Sequence, residues 1–195
     1  MKKLKENIPE ILFITSYPPR ECGIATYSQD LISSLNNKFD DSFAIKVCAM
    51  ESGKTNYNYS AEVSAVLDTS DAQSFTETAL NINNDEHLDL VLIQHEFGFF
   101  KKQETAFLNF LHEIKKPVIV IFHTVLPHPD ELFKRNVQEI ANVCDALVVM
   151  TKNAKNILSS DYSIPEDKMT VIAHGTHLVP HLSKKFLKNK YGLSG

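Results

Sequence analysis

The chain has no tryptophan and only three cysteines and six glycines in 195 residues. Cys22, Cys48 and Cys144 are odd in number and far apart, which excludes a disulfide framework and a CxxC metal site and points to a reduced, cytoplasmic setting. The scarce glycines form neither GxGxxG nor GxxxxGK[ST], so a dinucleotide-binding fingerprint and a P-loop are absent, and no GxSxG elbow marks a serine hydrolase. Long apolar runs are missing too. No unbroken aliphatic or aromatic run exceeds that of Val118–Phe122, far short of the roughly 18 residues that cross a bilayer. After the charged start MKKLKENIPE, only Ile11–Ile14 follows, too short for the core of a signal peptide. Charge of one sign is not in excess either. Twenty basic against 24 acidic side chains leave a net charge of −4, which supplies no general attraction to nucleic acid or anionic lipid.

What is present is alternation. Ile11–Ile14, Phe43–Met50, Val63–Leu67, Leu88–Ile93, Val118–Phe122, Ala146–Met150 and Met169–Ala173 read as strands, several with no polar alternation, as expected of strands buried on both faces. Helical stripes lie between them: Ile24, Tyr27, Leu31 and Leu35; Phe107, Phe110, Leu111 and Ile114; Val137, Ile140, Ala141 and Cys144. Strand–helix alternation predicts an α/β fold, a Rossmann-like, doubly wound, mostly parallel sheet of about seven strands with helices on both faces. The length suits one core. The expected organisation is a tail over 1–10, one domain over 11–182, and a lysine-rich helix over 183–195. Glu51–Ser60 is a polar loop longer than usual.

Ligands of open parallel sheets sit beyond the carboxyl ends of the strands. Six of the eight histidines (His95, His123, His128, His174, His177 and His181) fall in the segments expected there. The first strand leads through Ser16-Tyr17-Pro18-Pro19-Arg20-Glu21-Cys22 to Gly23, which opens a helix whose unpaired N–H groups suit a phosphate; a tight turn explains the glycine equally well. His95 and His123 each follow a buried strand directly and are expected to share one cleft rim with Gly23. His174-x2-His177-x3-His181 is interrupted by Pro180 and lacks a completing cysteine or carboxylate, so no metal site is expected. Lys184, Lys185, Lys188 and Lys190 fit a solvated helix face, with peripheral membrane association as the other reading.

Six segments then line up. SYPPRECGIATYSQDL resembles the first loop and helix of family 4 retaining glycosyltransferases of the GT-B type, and of a bacterial mannosyltransferase-like subgroup in particular. LDLVLIQHEFGFF, VIVIFHTV, ALVVMTKNAKNIL, VIAHGTHLVP and KKFLKNKYGLSG resemble later segments of that family, in its order, over residues 11–193. The resemblance implies sugar transfer from a nucleotide-sugar donor to a glycan or lipid-linked acceptor with retention, and no metal or other cofactor. It implies that His123 is catalytic and contacts the transferred sugar, and that Cys22, Gly23, Thr124 and Gly175 lie near the donor. Arg20, Tyr27, His95, Glu96, Phe97, Gly98, Thr151 and His174 would line the substrate side. His174 stands where the family has asparagine. The family's Glu-x7-Glu motif belongs to a second, donor-binding domain expected to be absent from these residues. Glu96/Glu104 and Glu131/Glu139 match that spacing, as chance allows, and the second pair reads as a solvated helix face. The isolated chain is therefore expected to need that C-terminal domain for turnover. The alternative is a non-catalytic glycan- or protein-binding module.

Overall fold

The computed structural model describes residues 8–53, 57–175 and 182–193. Seven strands form one sheet: β1 (Glu10–Thr15), β2 (Ala44–Glu51), β3 (Val63–Asp68), β4 (Leu88–His95), β5 (Val118–Phe122), β6 (Ala146–Val149) and β7 (Met169–Val171). All six pairings are parallel, in the order β3-β2-β1-β4-β5-β6-β7. The expected parallel α/β sheet is therefore present, and each expected strand lies within a residue or two of its apolar run.

The helices are α1 (Gly23–Phe39), α2 (Ala72–Asn84), α3 (Glu104–Glu113), α4 (Glu131–Val143), α5 (Lys152–Ser160) and α6 (Lys184–Lys190). Right-handed crossovers fix their sides. From β1 to β2 the chain steps toward one edge, so α1 covers one face; from β3 to β7 it steps the other way, so α2–α5 cover the opposite face. The core divides accordingly. Phe13, Val47 and Ala49 pack with Ile32, Leu31 and Leu35 of α1. Ile14, Ile93, Val120 and Leu147 pack with Phe75, Phe107, Phe110, Val137, Ile140 and Leu158 from α2–α5.

Small side chains bring α1 close to the sheet. Its fully buried line is Ala25, Ser28 and Ile32, one position off the stripe read through Tyr27. The Ser28 hydroxyl lies 2.6 Å from that of Thr15, tying helix to strand. Tyr27 is thereby displaced to the edge of the packed face. Helix starts are capped locally. Asp71 begins α2 by accepting from the Gln73 N–H at 3.0 Å, and Thr151 begins α5 by accepting from Ala154 at 3.0 Å. Replacing Asp71 with alanine should lower the unfolding free energy by about 1 kcal/mol without changing the denaturant m-value, a result read from urea melts.

Candidate functional site

The direction of winding reverses between β1 and β4, and a crevice opens beyond the carboxyl ends of strands at such a switch point. Three loops meet there. The first is the turn from β1 into α1. Cys22 caps this helix: its Sγ accepts from the Ala25 N–H at 3.3 Å and lies 3.1 Å from the Ser16 hydroxyl. Gly23 follows with a backbone any residue could adopt, and a Cβ built there would meet nothing within 4 Å. Neither packing nor torsion demands glycine at that point. Arg20 is held by donating to the Met50 carbonyl at 3.2 Å, with its guanidinium 5.3 Å from the Phe99 ring centre.

The second and third loops follow β5 and β7. His123 turns toward α1, its ring 5.1 Å from Tyr27 and nearly perpendicular to it. Tyr27 also meets His174, at 4.9 Å between ring centres. The His123 Nε2 donates to the Gln94 side-chain oxygen at 2.5 Å, and the Gln94 Nε2, in a fully buried residue, has no partner among the described residues. Burial, with the nearby His174, pushes the His123 pKa down to about 4, so its imidazole is neutral at physiological pH; burial also raises that of Tyr27. With Nε2 donating to the Gln94 amide oxygen, the neutral imidazole keeps Nδ1 as an acceptor, and it can take up a proton only at a cost. Gln94 was not singled out in the sequence, although a polar residue ending an otherwise apolar strand was a usable signal.

Thr124 donates to the Glu96 carboxylate at 2.6 Å and so links the ends of β4 and β5. Thr151 is occupied in capping α5. His174 Nδ1 donates to the Gly175 carbonyl at 2.7 Å, and a Cβ on Gly98 or on Gly175 would meet nothing within 4 Å. His177 and His181 lie outside the described residues. Glu139 bonds His112 at 2.8 Å on the surface of α4, in keeping with a solvated helix face.

One expectation is overturned. Gly23, His123 and His95 do not share a rim. His95 pairs with Phe122 across the β4–β5 ladder, so it points to the face of α2–α5, while His123, one residue beyond Phe122, points to the face of α1. His95 is 2% exposed and enclosed by Phe97, Phe100, Phe107 and Phe122, with ring centres 4.8–5.4 Å away. Phe97 is packed there too, against Phe122 and Phe133. The His95 ring makes no hydrogen bond to any described residue, and burial drives its pKa down to about 3.

The sheet, its order and its switch point are those of a Rossmann-like half of a GT-B arrangement, and solved structures bear this out. The chain resembles an alpha-glucosyltransferase in complex with UDP and a 13-mer DNA containing a HMU base, at TM-score 0.55 and 12% identity over 86% of this chain and 42% of that one. It resembles an alpha-glucosyltransferase in complex with UDP-glucose and DNA containing an abasic site, at 0.53 and 14%, over 84% and 41%. It also resembles UDP-GlcNAc 2-epimerase from Methanocaldococcus jannaschii, at 0.52 and 15%, over 84% and 45%. No family model and no curated protein matches the sequence. The likeness is therefore one of fold, and this chain spans less than half the length of each of these structures. Because two of them hold DNA, the charge argument against nucleic acid gains no support from the fold. Among the described residues, no helix is long and apolar enough to cross a membrane.

Proposed function

We propose that the chain is the acceptor-side half of a glycosyltransferase, moving a hexose from a nucleotide-sugar to a glycan or lipid-linked acceptor with retention of configuration. The observation that carries this reading is the group at the switch point: the start of α1 at Gly23, with the Tyr27 ring in contact with both His123 and His174 beside it. In this reading the N–H groups of Gly23 and Ile24, ahead of the one that Cys22 caps, face the donor phosphates. His123, held neutral and oriented by donating its Nε2–H to Gln94, accepts a hydrogen bond at Nδ1 from a hydroxyl of the transferred sugar. The similarity to enzymes whose structures hold UDP and UDP-glucose supports the donor class.

Turnover further requires a complementary lobe. Glycosyl transfer passes through an oxocarbenium-like state with a departing diphosphate, and stabilising it takes preorganised charges and exclusion of water. One exposed helix N-terminus offers an anion about 0.3–1 kcal/mol, against the roughly 8 kcal/mol or more that a catalyst must remove. Metal is not needed in this scheme.

The test is calorimetry with UDP and UDP-hexoses, then an activity assay with and without a donor-binding lobe supplied in cis or trans. Weak UDP binding by the chain alone, with transfer appearing only when the lobe is added, is the expected result. Robust transfer by the chain alone would overturn the need for a second lobe. Glycan capture with no gain from any lobe would favour a non-catalytic binding module.

A further inference from the structure

On the face opposite His123, the start of α3, the start of α4 and the turn after β4 enclose a cavity of about 390 Å³. A volume in this range is what small-molecule sites occupy. Four phenylalanines (Phe97, Phe100, Phe107 and Phe133) and Leu108 contribute apolar wall. His95 is the buried polar member of the lining, and its ring lacks a hydrogen-bond partner among the described residues. Native interiors seldom leave an imidazole in that state, because a buried polar group without a partner opposes folding. The charged lining residues, Glu104 and Asp130, are both acidic, so an anionic ligand is disfavoured and a nucleotide does not fit this place.

We propose that this cavity binds a neutral aromatic small molecule bearing one hydroxyl or amino group, its ring packed among the phenylalanines and its polar group bonded to the His95 imidazole. Ring packing offers edge and face contacts to a planar guest. The unmet imidazole Nδ1 selects for a group that can complete it, since a guest without one leaves it unpaired. The low pKa of His95 keeps the ring neutral, with one nitrogen able to donate and the other to accept. A hydroxyl can meet either. The site is separate from the switch-point group and does not depend on sugar transfer, so the two readings stand or fall independently.

The experiment titrates the full chain with 1-naphthol, naphthalene and 1-naphthalenesulfonate, followed by calorimetry and by ligand-observed NMR. Saturable naphthol binding is expected, at least fivefold tighter than naphthalene, with the sulfonate weakest. Thr105→Trp, made at an exposed lining residue, should fill the cavity and weaken naphthol binding tenfold or more while the far-ultraviolet spectrum is retained. His95→Leu should still admit the ring but remove the preference for naphthol over naphthalene. No saturable naphthol binding up to its solubility limit, equal binding of naphthol and naphthalene by the native chain, or unchanged binding by a folded Thr105→Trp would each overturn the proposal. Should His95→Leu fail to fold, the native preference and the Thr105→Trp result decide the matter.

Discussion

Replacing Phe75 with alanine is expected to reduce the unfolding free energy by about 3–5 kcal/mol and to lower Tm by roughly 10 °C, measured by urea and thermal melts. Phe75 is 1% exposed and is the main anchor of α2. Its ring lies 5.8–6.5 Å from those of Phe100, Phe107 and Phe110, so one substitution opens a void shared by α2, α3 and the turn after β4. Neighbouring rings are fixed by their own packing against the sheet, notably the Phe100–Phe107 stack at 3.9 Å, and cannot collapse into the gap. A loss below 1.5 kcal/mol would show that α2 rests on the sheet by other contacts.

Acid should destabilise the fold well above the range where carboxylates protonate, through His95. In the unfolded chain its imidazole takes up a proton near pH 6.5; in the folded protein burial delays this to about pH 3. Between these values the unfolded state binds the extra proton, so stability falls as pH falls, by about 1.4 kcal/mol per unit. From pH 7 to pH 5 the loss through His95 is about 2 kcal/mol. His123, whose pKa is lowered to about 4, acts in the same direction, weakened by its partial contact with solvent. Denaturant melts at the two pH values check this. His95→Leu should shrink the loss markedly and, by removing the buried unpaired Nδ1, leave the protein at least as stable at pH 7. An undiminished loss in that variant would place the acid sensitivity elsewhere.

The strands were legible because burial on both faces leaves uninterrupted Val- and Ile-rich runs such as Val118–Phe122, and parallel topology follows from their alternation with helices. The Phe107–Ile114 and Val137–Cys144 stripes likewise fall on buried faces of α3 and α4. The α1 stripe misled by one position, since apolar size was counted where smallness mattered: Ala25 and Ser28 sit deepest because they let the helix approach. The two strand-end histidines were paired wrongly for a related reason. Each follows an apolar run, yet the face each occupies depends on the register of β4 against β5, a contact between segments about 30 residues apart that no local pattern encodes. Tyr27, His123 and His174 were each named from the sequence; that they touch, and that Gln94 steers one of them, required the fold. The cavity between α3 and α4 had no sequence signature, because it is a spacing between helices rather than a motif.

The central position of β1 bears on how this chain comes into being on the ribosome. Its neighbour on one side, β4, lies almost eighty residues later, and Glu10 pairs with Leu88. At roughly 5–20 residues per second of synthesis, β1 waits about 4–16 seconds for that partner. For that interval Phe13 has α1 to shelter it, whereas Leu12 and Ile14 face the side that α2–α5 cover only later, so one apolar face of the nascent sheet stays open until those helices are made.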